Sequence, residues 1–406
     1  MKPCLICKRP IEPFLSFGEM PIANGFLCPD QFADEYFFEL KVAFCENCRM
    51  VQLAELVERE RMFHENYAFF SSTSTRMAKH FQEFASWIMR TYLKDADPFV
   101  VEIGSNDGIM LKNFAGANVR HLGIEPSTNV AGVARQKGIR TVSQFFDEEL
   151  ATKILAEDGP ADVFLGANVM CHIPYIHSVF AGVKKLLKPT GILVFEDPYL
   201  GDIVEKTAYD QIYDEHAFYF SVESITFLAS LHQLELIDAL PQKVHGGSMR
   251  YVLSHCGAYP ISSSVDRLRE KEASLGLARA ETYTRLRRNI EASRDLLRGM
   301  LEELSREGRR VAGYAATSKS TTVTNYCGLT SRLVEFISDT TPIKQGKFSP
   351  GAHIPVRPYE EFKANYPDFG LLFGWNHAEE IMAGEQAFRD AGGKWIVYVP
   401  RVQVLA

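Results

Sequence analysis

Asp97–Gly108 reads DPFVVEIGSNDG: an unbroken apolar run, Phe99–Ile103, that ends in a glycine-bearing polar loop. A short run with no polar alternation is a strand buried on both faces, which is the condition of a parallel sheet between helix layers. The stretch before it, HFQEFASWIMRTYL, carries apolar residues at helical spacing. Strand and helix then alternate through VRHLGIEP, VAGVARQKG, IRTVSQFF, DEELATKILAE, ADVFLGANV, IHSVFAGVKKLLKPTG and ILVFEDPYL. Strict alternation predicts a mostly parallel sheet with helices on both faces, and ligands at the carboxyl edge of its strands.

Two other regions flank this one. Residues 1–72 are rich in Pro, Phe and Cys and read as a small strand-containing module. After His255 comes a charged helical stretch, residues 265–308, with leucines at i, i+3 and i+4. Gly276 and Gly299 break its heptads, so it reads as a linker between domains rather than a free coiled coil. From Arg309 a second α/β run follows, with strand-like RRVAGYAA, LVEFISDTTP, GLLFGWN and KWIVYVP. The expected class is α/β in three domains: a small module over 1–72, an α/β domain over 73–255, and linker helices with a second α/β domain over 256–406.

Length and charge bound the function. A chain of 406 residues can bury its cores without disulfides. Its 44 Lys and Arg against 51 Asp and Glu give a net charge of −7, which leaves no basic field for nucleic acid or anionic lipid. No apolar segment approaches the length of a membrane span, and the opening MKPCLICKRPIEPF lacks the apolar core of a secretion signal. A cytoplasmic protein is expected, with no nucleic-acid or membrane partner and a monomer as the default state.

Cys4 and Cys7 form one C-x-x-C and Cys45 and Cys48 another, the four thiolates that tetrahedral zinc takes. The 37 residues between the pairs exceed the usual 15–20, so strands and loops must fill the gap. A redox C-x-x-C would open a helix after a strand, whereas Pro3 and Pro10 bracket the first pair. Four ligands close the shell, so the metal is expected to be structural. Cys28, Cys171, Cys256 and Cys327 lack partner spacing and read as small buried hydrophobes.

The loop E-x-G-x-N-D-G places Glu102, Gly104, Asn106, Asp107 and Gly108 at the strand's carboxyl end. It is not G-x-G-x-x-G, which counts against NAD. An acidic loop suits a ligand with a cationic amino-acid end, such as S-adenosylmethionine. Glu125, after the second strand, is placed to accept both ribose hydroxyls, or else to cap a helix; Asn168 is within reach of the methionyl part. Four later segments collect proton-moving side chains: ENYAFFSS, CHIPY, QIYDEHAFYF and VHGGSMR. They contribute Tyr67, His172, Tyr213, Glu215, His216, His245 and Arg250, and the paired Gly246 and Gly247 offer backbone amides beside a bound substrate or a simple turn.

These residues resemble the zinc-containing sugar C-methyltransferases, which methylate carbon 3 of a nucleotide-linked 4-keto-6-deoxy sugar with S-adenosylmethionine. The resemblance covers nearly the whole chain, through the cysteine pairs, MFHENYAFFSS, VEIGSNDGIML, CHIPY, FEDPYLGDIV, YDQIYDEH, VHGGSMRY, GYAATSKSTTVTNYCG, DTTPIKQG, PGAHIPVRP and GWNHAEEI. It implies Tyr67, His172, Tyr213, Glu215 and His216 as the active-site set; within it we assign His216 as the base, tuned by Glu215. It also implies that 1–72 is a zinc-binding module, 73–255 a Rossmann-like methyltransferase domain and 256–406 a C-terminal Rossmann-like domain, with a nucleotide-diphosphate 4-keto deoxysugar as substrate and Lys319 of GYAATSKS at the diphosphate; His245, Gly246 and Arg250 of VHGGSMR are expected near the sugar. Two rival readings use the same features: an O- or N-methyltransferase on this scaffold, and a zinc-ribbon binding protein with a degenerate cofactor fold. The intact loop and Glu125 oppose the second.

Overall fold

A computed structural model describes residues 2–62, 71 and 75–405. The decisive strand, β1 (Phe99–Ile103), is buried at every position. Its side chains alternate between two cores: Phe99, Val101 and Ile103 enter one and Val100 the other. Around it stand β2 (Arg120–Ile124), β3 (Thr141–Val142), β4 (Ala161–Ala167), β5 (Leu187–Pro198), β6 (Leu234–Gln242) and β7 (Ser248–His255) in the order β6-β7-β5-β4-β1-β2-β3. Only β7 runs antiparallel, between β5 and β6. Helix α1 (Thr75–Thr91) lays Phe81, Phe84 and Ile88 on one face, and α2 (Glu148–Asp158) and α3 (Ile176–Leu186) cover the other. The sequence reading carried α3 through KPTG; the helix instead stops at Leu186, and Leu187 already pairs with Ala161 of β4. Pro189 cannot supply the N–H that a continued helix needs.

The N-terminal module is an antiparallel sheet of Pro13–Pro21, Phe37–Phe44 and Val51–Leu53, and the first two strands fill the interval between the cysteine pairs. Its fourth strand comes from far along the chain: Phe218–Tyr219 pairs with Gln52 and Val51. The cysteines themselves pack in the core that holds Phe99 and Val101, so the module is docked on the central sheet.

Helices α4 (Ser263–Leu275) and α5 (Ala280–Arg306) follow β7. Gly276, at φ 71°, ends α4, whereas Gly299 stays inside α5. Tyr283, Leu286, Ile290, Leu297 and Leu301 form the buried stripe of α5 and share a core with the N-terminal sheet and the C-terminal domain. That third sheet contains β8 (Val311–Tyr314), β9 (Ile337–Ser338), β10 (Val356–Arg357), β11 (Phe369–Leu372), β12 (Lys394–Val397) and β13 (Gln403–Leu405) in the order β10-β9-β8-β11-β12-β13. All but β13 are parallel, and the order reverses at β8/β11, the position where open α/β sheets bind ligands. Among the described residues no helix is long and apolar enough to cross a membrane.

Candidate active site and metal centre

The carboxyl edges of both parallel sheets face one cavity of about 790 Å³. The segment 209–217 lies between them, and both the N-terminal module and the C-terminal domain hold it. From the zinc module, Ala23 donates its N–H to Asp214 (2.9 Å), Asn24 donates to Glu215 (2.7 Å) and Leu53 donates to the Ala217 carbonyl (2.9 Å). From the C-terminal domain, Thr322 Oγ1 donates to the Ile212 carbonyl (2.8 Å).

At one end of the cavity Gly104, Asn106, Glu125 and Asn168 form the wall. Each Glu125 oxygen accepts one backbone N–H, from Asn106 (3.0 Å) and Ser127 (2.9 Å). A carboxylate has about four acceptor sites, so two remain for hydroxyls, and burial raises its pKa. The helix-capping alternative and the ligand reading are therefore compatible. Gly104 has φ 62°, and a Cβ there would lie 2.7 Å from Val169, so this glycine serves the turn and its packing. Glu102, Asp107 and Gly108 are not on the cavity wall. Asp107 is buried and paired with Lys137 (2.9 Å), and Glu102 is buried behind the loop with its carboxyl pushed well up by desolvation, then by Glu125 and Asp107. The acid that faces the cavity is Glu125 rather than the loop's own.

In the middle stand His216, Tyr213, Glu215 and His172. The His216 ring lies 4.1 Å from Tyr213 and 5.1 Å from His172, centroid to centroid. His216 Nδ1 lies 2.7 Å from the Gln211 carbonyl, which can only accept, so Nδ1 carries the proton and Nε2 the lone pair. Burial, then the neighbouring His172, pushes the imidazolium pKa well down, and His172 is lowered to about 4 by burial. Both rings are therefore neutral near pH 7. The expected Glu215 tuning of His216 is not what the structure shows: the Gln211 carbonyl orients the ring, and Glu215 is held by Asn24 with its carboxyl raised to about 7 by burial. Tyr67 lies outside the described residues.

Toward the C-terminal sheet, His245 accepts a hydrogen bond at Nε2 from the Asn168 amide (3.1 Å). Lys319, on the first turn of α6 (Ser318–Tyr326), donates to Asn376 Oδ1 (3.2 Å) and the His245 carbonyl (3.4 Å) and lies 5.0 Å over the Trp375 ring. Gly246 is not on the cavity wall: a Cβ there would meet Trp375, so this glycine serves the packing of that ring rather than a bound sugar. Arg250 is a correction: it is buried on the far side of β7, bonded to Glu196 and stacked 3.8 Å over Phe84. Its strand position directs it toward α1, away from the cavity.

Sequence reasoning missed Asn24, Arg59, Gln144, Phe145, Tyr314 and Glu385, all on the wall. Gln144 and Phe145 follow the carboxyl end of β3, and the rule that selected Glu125 would have found them. Arg59 packs its guanidinium 4.1 Å from the Phe145 ring centroid and 4.8 Å from that of Tyr175. Glu385 accepts from Tyr314 (2.7 Å) and Tyr359 (2.9 Å) beside the β8/β11 crevice.

The metal centre has two matching halves. Lys8 and Arg49, each following the second cysteine of its pair, have φ of 61° and 60°. Each closes the same turn, with Lys8 N–H on the Cys4 carbonyl (3.1 Å) and Arg49 N–H on that of Cys45 (2.8 Å). Sulfurs are 3.5 Å apart for Cys4 and Cys48 and 3.4 Å for Cys7 and Cys45. A zinc tetrahedron with bonds near 2.3 Å needs edges of about 3.8 Å, so the sulfurs fit with small movements. Protons are shared unevenly: Cys4 is lowered to about 5 by the Cys48 thiol beside it, while burial raises Cys45 to about 11.

Three family models match the chain: "Putative zinc binding domain" over residues 4–63, "Methyltransferase domain" over 73–239 and "C-methyltransferase C-terminal domain" over 243–400. The C-methyltransferase NovU of Streptomyces niveus is 34% identical over 395 residues, 97% of this chain and 94% of that protein. The ubiquinone biosynthesis O-methyltransferase of Paraburkholderia phytofirmans is 32% identical over 98 residues, 24% of this chain and 42% of its own. Among solved structures, magnesium protoporphyrin IX methyltransferase of Synechocystis PCC 6803 aligns at TM-score 0.35 and 13% identity, over 48% of this chain and 89% of that one. With the relation to NovU spanning the zinc module, the cofactor-loop sheet and the C-terminal sheet together, the chain belongs to the S-adenosylmethionine-dependent C-methyltransferase family.

Proposed function

We propose that this enzyme, acting in the cytoplasm, methylates C3 of a nucleotide-diphosphate 4-keto-6-deoxy sugar through an enolate. The observation that carries the reading is a neutral, buried imidazole whose Nε2 lone pair is left available by the Gln211 carbonyl, in one cavity with Tyr213, Glu215 and His172. Carbon is a poor nucleophile, and a ketone at C4 makes the C3 proton removable. His216 Nε2 takes that proton and the electron pair moves to the C4 oxygen, where Tyr213, Glu215, His172 and Tyr67 supply donors. S-adenosylmethionine supplies the electrophilic methyl. Gly104, Asn106, Glu125 and Asn168 would hold it, with Arg59 and Phe145 at its adenosine end. Lys319 and His245 bind the sugar diphosphate between the two sheets. In this reading 1–72 is the zinc module, 73–255 the methyl-transfer domain and 256–406 the nucleotide-sugar domain.

The test is incubation with such 4-keto sugars in deuterated buffer. Deuterium should enter C3 without cofactor, and one methyl should be added there when cofactor is present. Methylation of the 4-hydroxy analogue would instead support a heteroatom acceptor, which needs no enolate.

Two further results are expected. Arg59→Ala removes a cation over two rings and should weaken cofactor binding by about 0.5–1 kcal/mol in a calorimetric titration, with zinc content unchanged. Unaltered affinity would place the adenosine elsewhere. Glu215, raised to about 7, is protonated below that pH and can then donate to the C4 oxygen. As pH rises through 7 it becomes an acceptor only, so kcat should fall with an inflection near 7. Glu215→Gln keeps an N–H donor and should erase that limb; Glu215→Ala should cost roughly 10²–10³ in kcat. A limb that survives in Glu215→Gln assigns it to another group.

A further inference from the structure

One group of metal-ligating atoms lies apart from the four-cysteine cluster. The Cys171 sulfur and one ring nitrogen each of His172 and His216 are all within 4.8 Å of one another. The two imidazoles line the cavity and the sulfur lies behind them, only 1% exposed. His216 is already oriented as a metal-binding imidazole is, because its Nδ1–H is fixed on a backbone carbonyl and Nε2 is held as an acceptor. Asp197, wholly buried, sits against the Cys171 thiol. The thiol proton released on metal binding passes to the buffer.

We propose that Cys171, His172 and His216 form a second, open metal site that takes a borderline divalent cation such as Zn²⁺ and thereby stops turnover. One thiolate and two imidazoles are a donor set for zinc or cobalt and a poor one for Mg²⁺ or Ca²⁺, which prefer oxygen. The site differs from the cysteine cluster in kind. Four sulfurs close a shell, whereas three ligands leave a fourth position directed into the cavity, open to water or substrate. Binding exchanges the thiol proton for the metal–sulfur bond and converts the Nε2 lone pair of His216 into a metal bond. The same lone pair cannot then accept the C3 proton. The inhibitory half therefore rests on the reading of His216 as the base, while the binding half does not.

Cobalt is the probe, with the full chain carrying one zinc on its cysteine cluster. Wild type should bind one further cobalt equivalent with a thiolate-to-cobalt charge-transfer band, and zinc should stay at one per chain throughout. Cys171→Ser should lose the band and weaken the second site at least tenfold; Cys171→Ala, which removes the polar hydroxyl from the buried site, serves where the serine variant folds poorly. Added zinc should inhibit wild type and leave the Cys171 variants active. Absence of a second equivalent in wild type, or its retention with an unchanged band in both variants, overturns the site. A bound second ion with undiminished turnover overturns the inhibition. Failure of the base reading is detected separately, by C3 deuterium exchange in metal-free buffer that survives in His216→Ala.

Discussion

His216→Ala is expected to lose C3 deuterium exchange and methylation by about 10²–10⁴, the range that one positioned acid–base group contributes. The expectation follows from three features acting on one ring. The Gln211 carbonyl at 2.7 Å selects the tautomer, so the lone pair is on Nε2. Burial keeps the ring neutral, so the base form is populated well below pH 6.5 and the acid limb of an ordinary histidine should be displaced downward. Tyr213, packed against it with ring centroids 4.1 Å apart, limits the ring's rotation. Cofactor affinity should be unchanged, since His216 does not touch the Gly104–Glu125 end of the cavity, and zinc content should stay at one. These two controls separate lost chemistry from lost folding. Exchange at the wild-type rate in His216→Ala would transfer the base role to another titratable group on that wall, Glu215 or His172.

Much of this site could be read from single segments, because the carboxyl-edge rule needs only a strand and the residues after it. VVEIGSNDG and GIEPS led to Gly104, Asn106 and Glu125 on the wall, and QIYDEH led to Tyr213, Glu215 and His216. What could not be read is the direction of side chains. Arg250 and Asp107 belong to suitable segments, yet one bonds Glu196 beneath α1 and the other pairs with Lys137. A one-residue difference in facing decides between site and core. Contacts between distant segments were equally hidden. Asn24 reaches Glu215 across 191 positions, through a strand pairing of Tyr219 with Val51 that no local pattern announces. Cys256, read as a buried hydrophobe, is exposed; it follows the last residue of β7, where the sheet ends.

That pairing makes the zinc cluster a determinant of catalysis without any chemistry at the metal. Cys48→Ser should release the zinc and destabilise the N-terminal module by several kcal/mol, since structural zinc supplies folding energy directly. Cys48 is wholly buried and its sulfur lies 3.5 Å from that of Cys4, so the loss removes a ligand and exposes a hydroxyl to the apolar core of Phe99 and Val101. Three residues later Val51 begins the strand that pairs with Phe218–Tyr219, and Leu53 N–H holds the Ala217 carbonyl. A loosened module therefore frees the Tyr213–His216 turn and withdraws Asn24 from Glu215. The expected signature is a lowered melting temperature, well under one zinc per chain, and a drop in kcat larger than the rise in KM, because the disturbed groups act at the reacting carbon rather than at the nucleotide. Cys256→Ser, at an exposed thiol, should change none of the three. A zinc-free Cys48→Ser enzyme with wild-type kcat would show that strand pairing alone holds the catalytic turn and that the metal is dispensable to it.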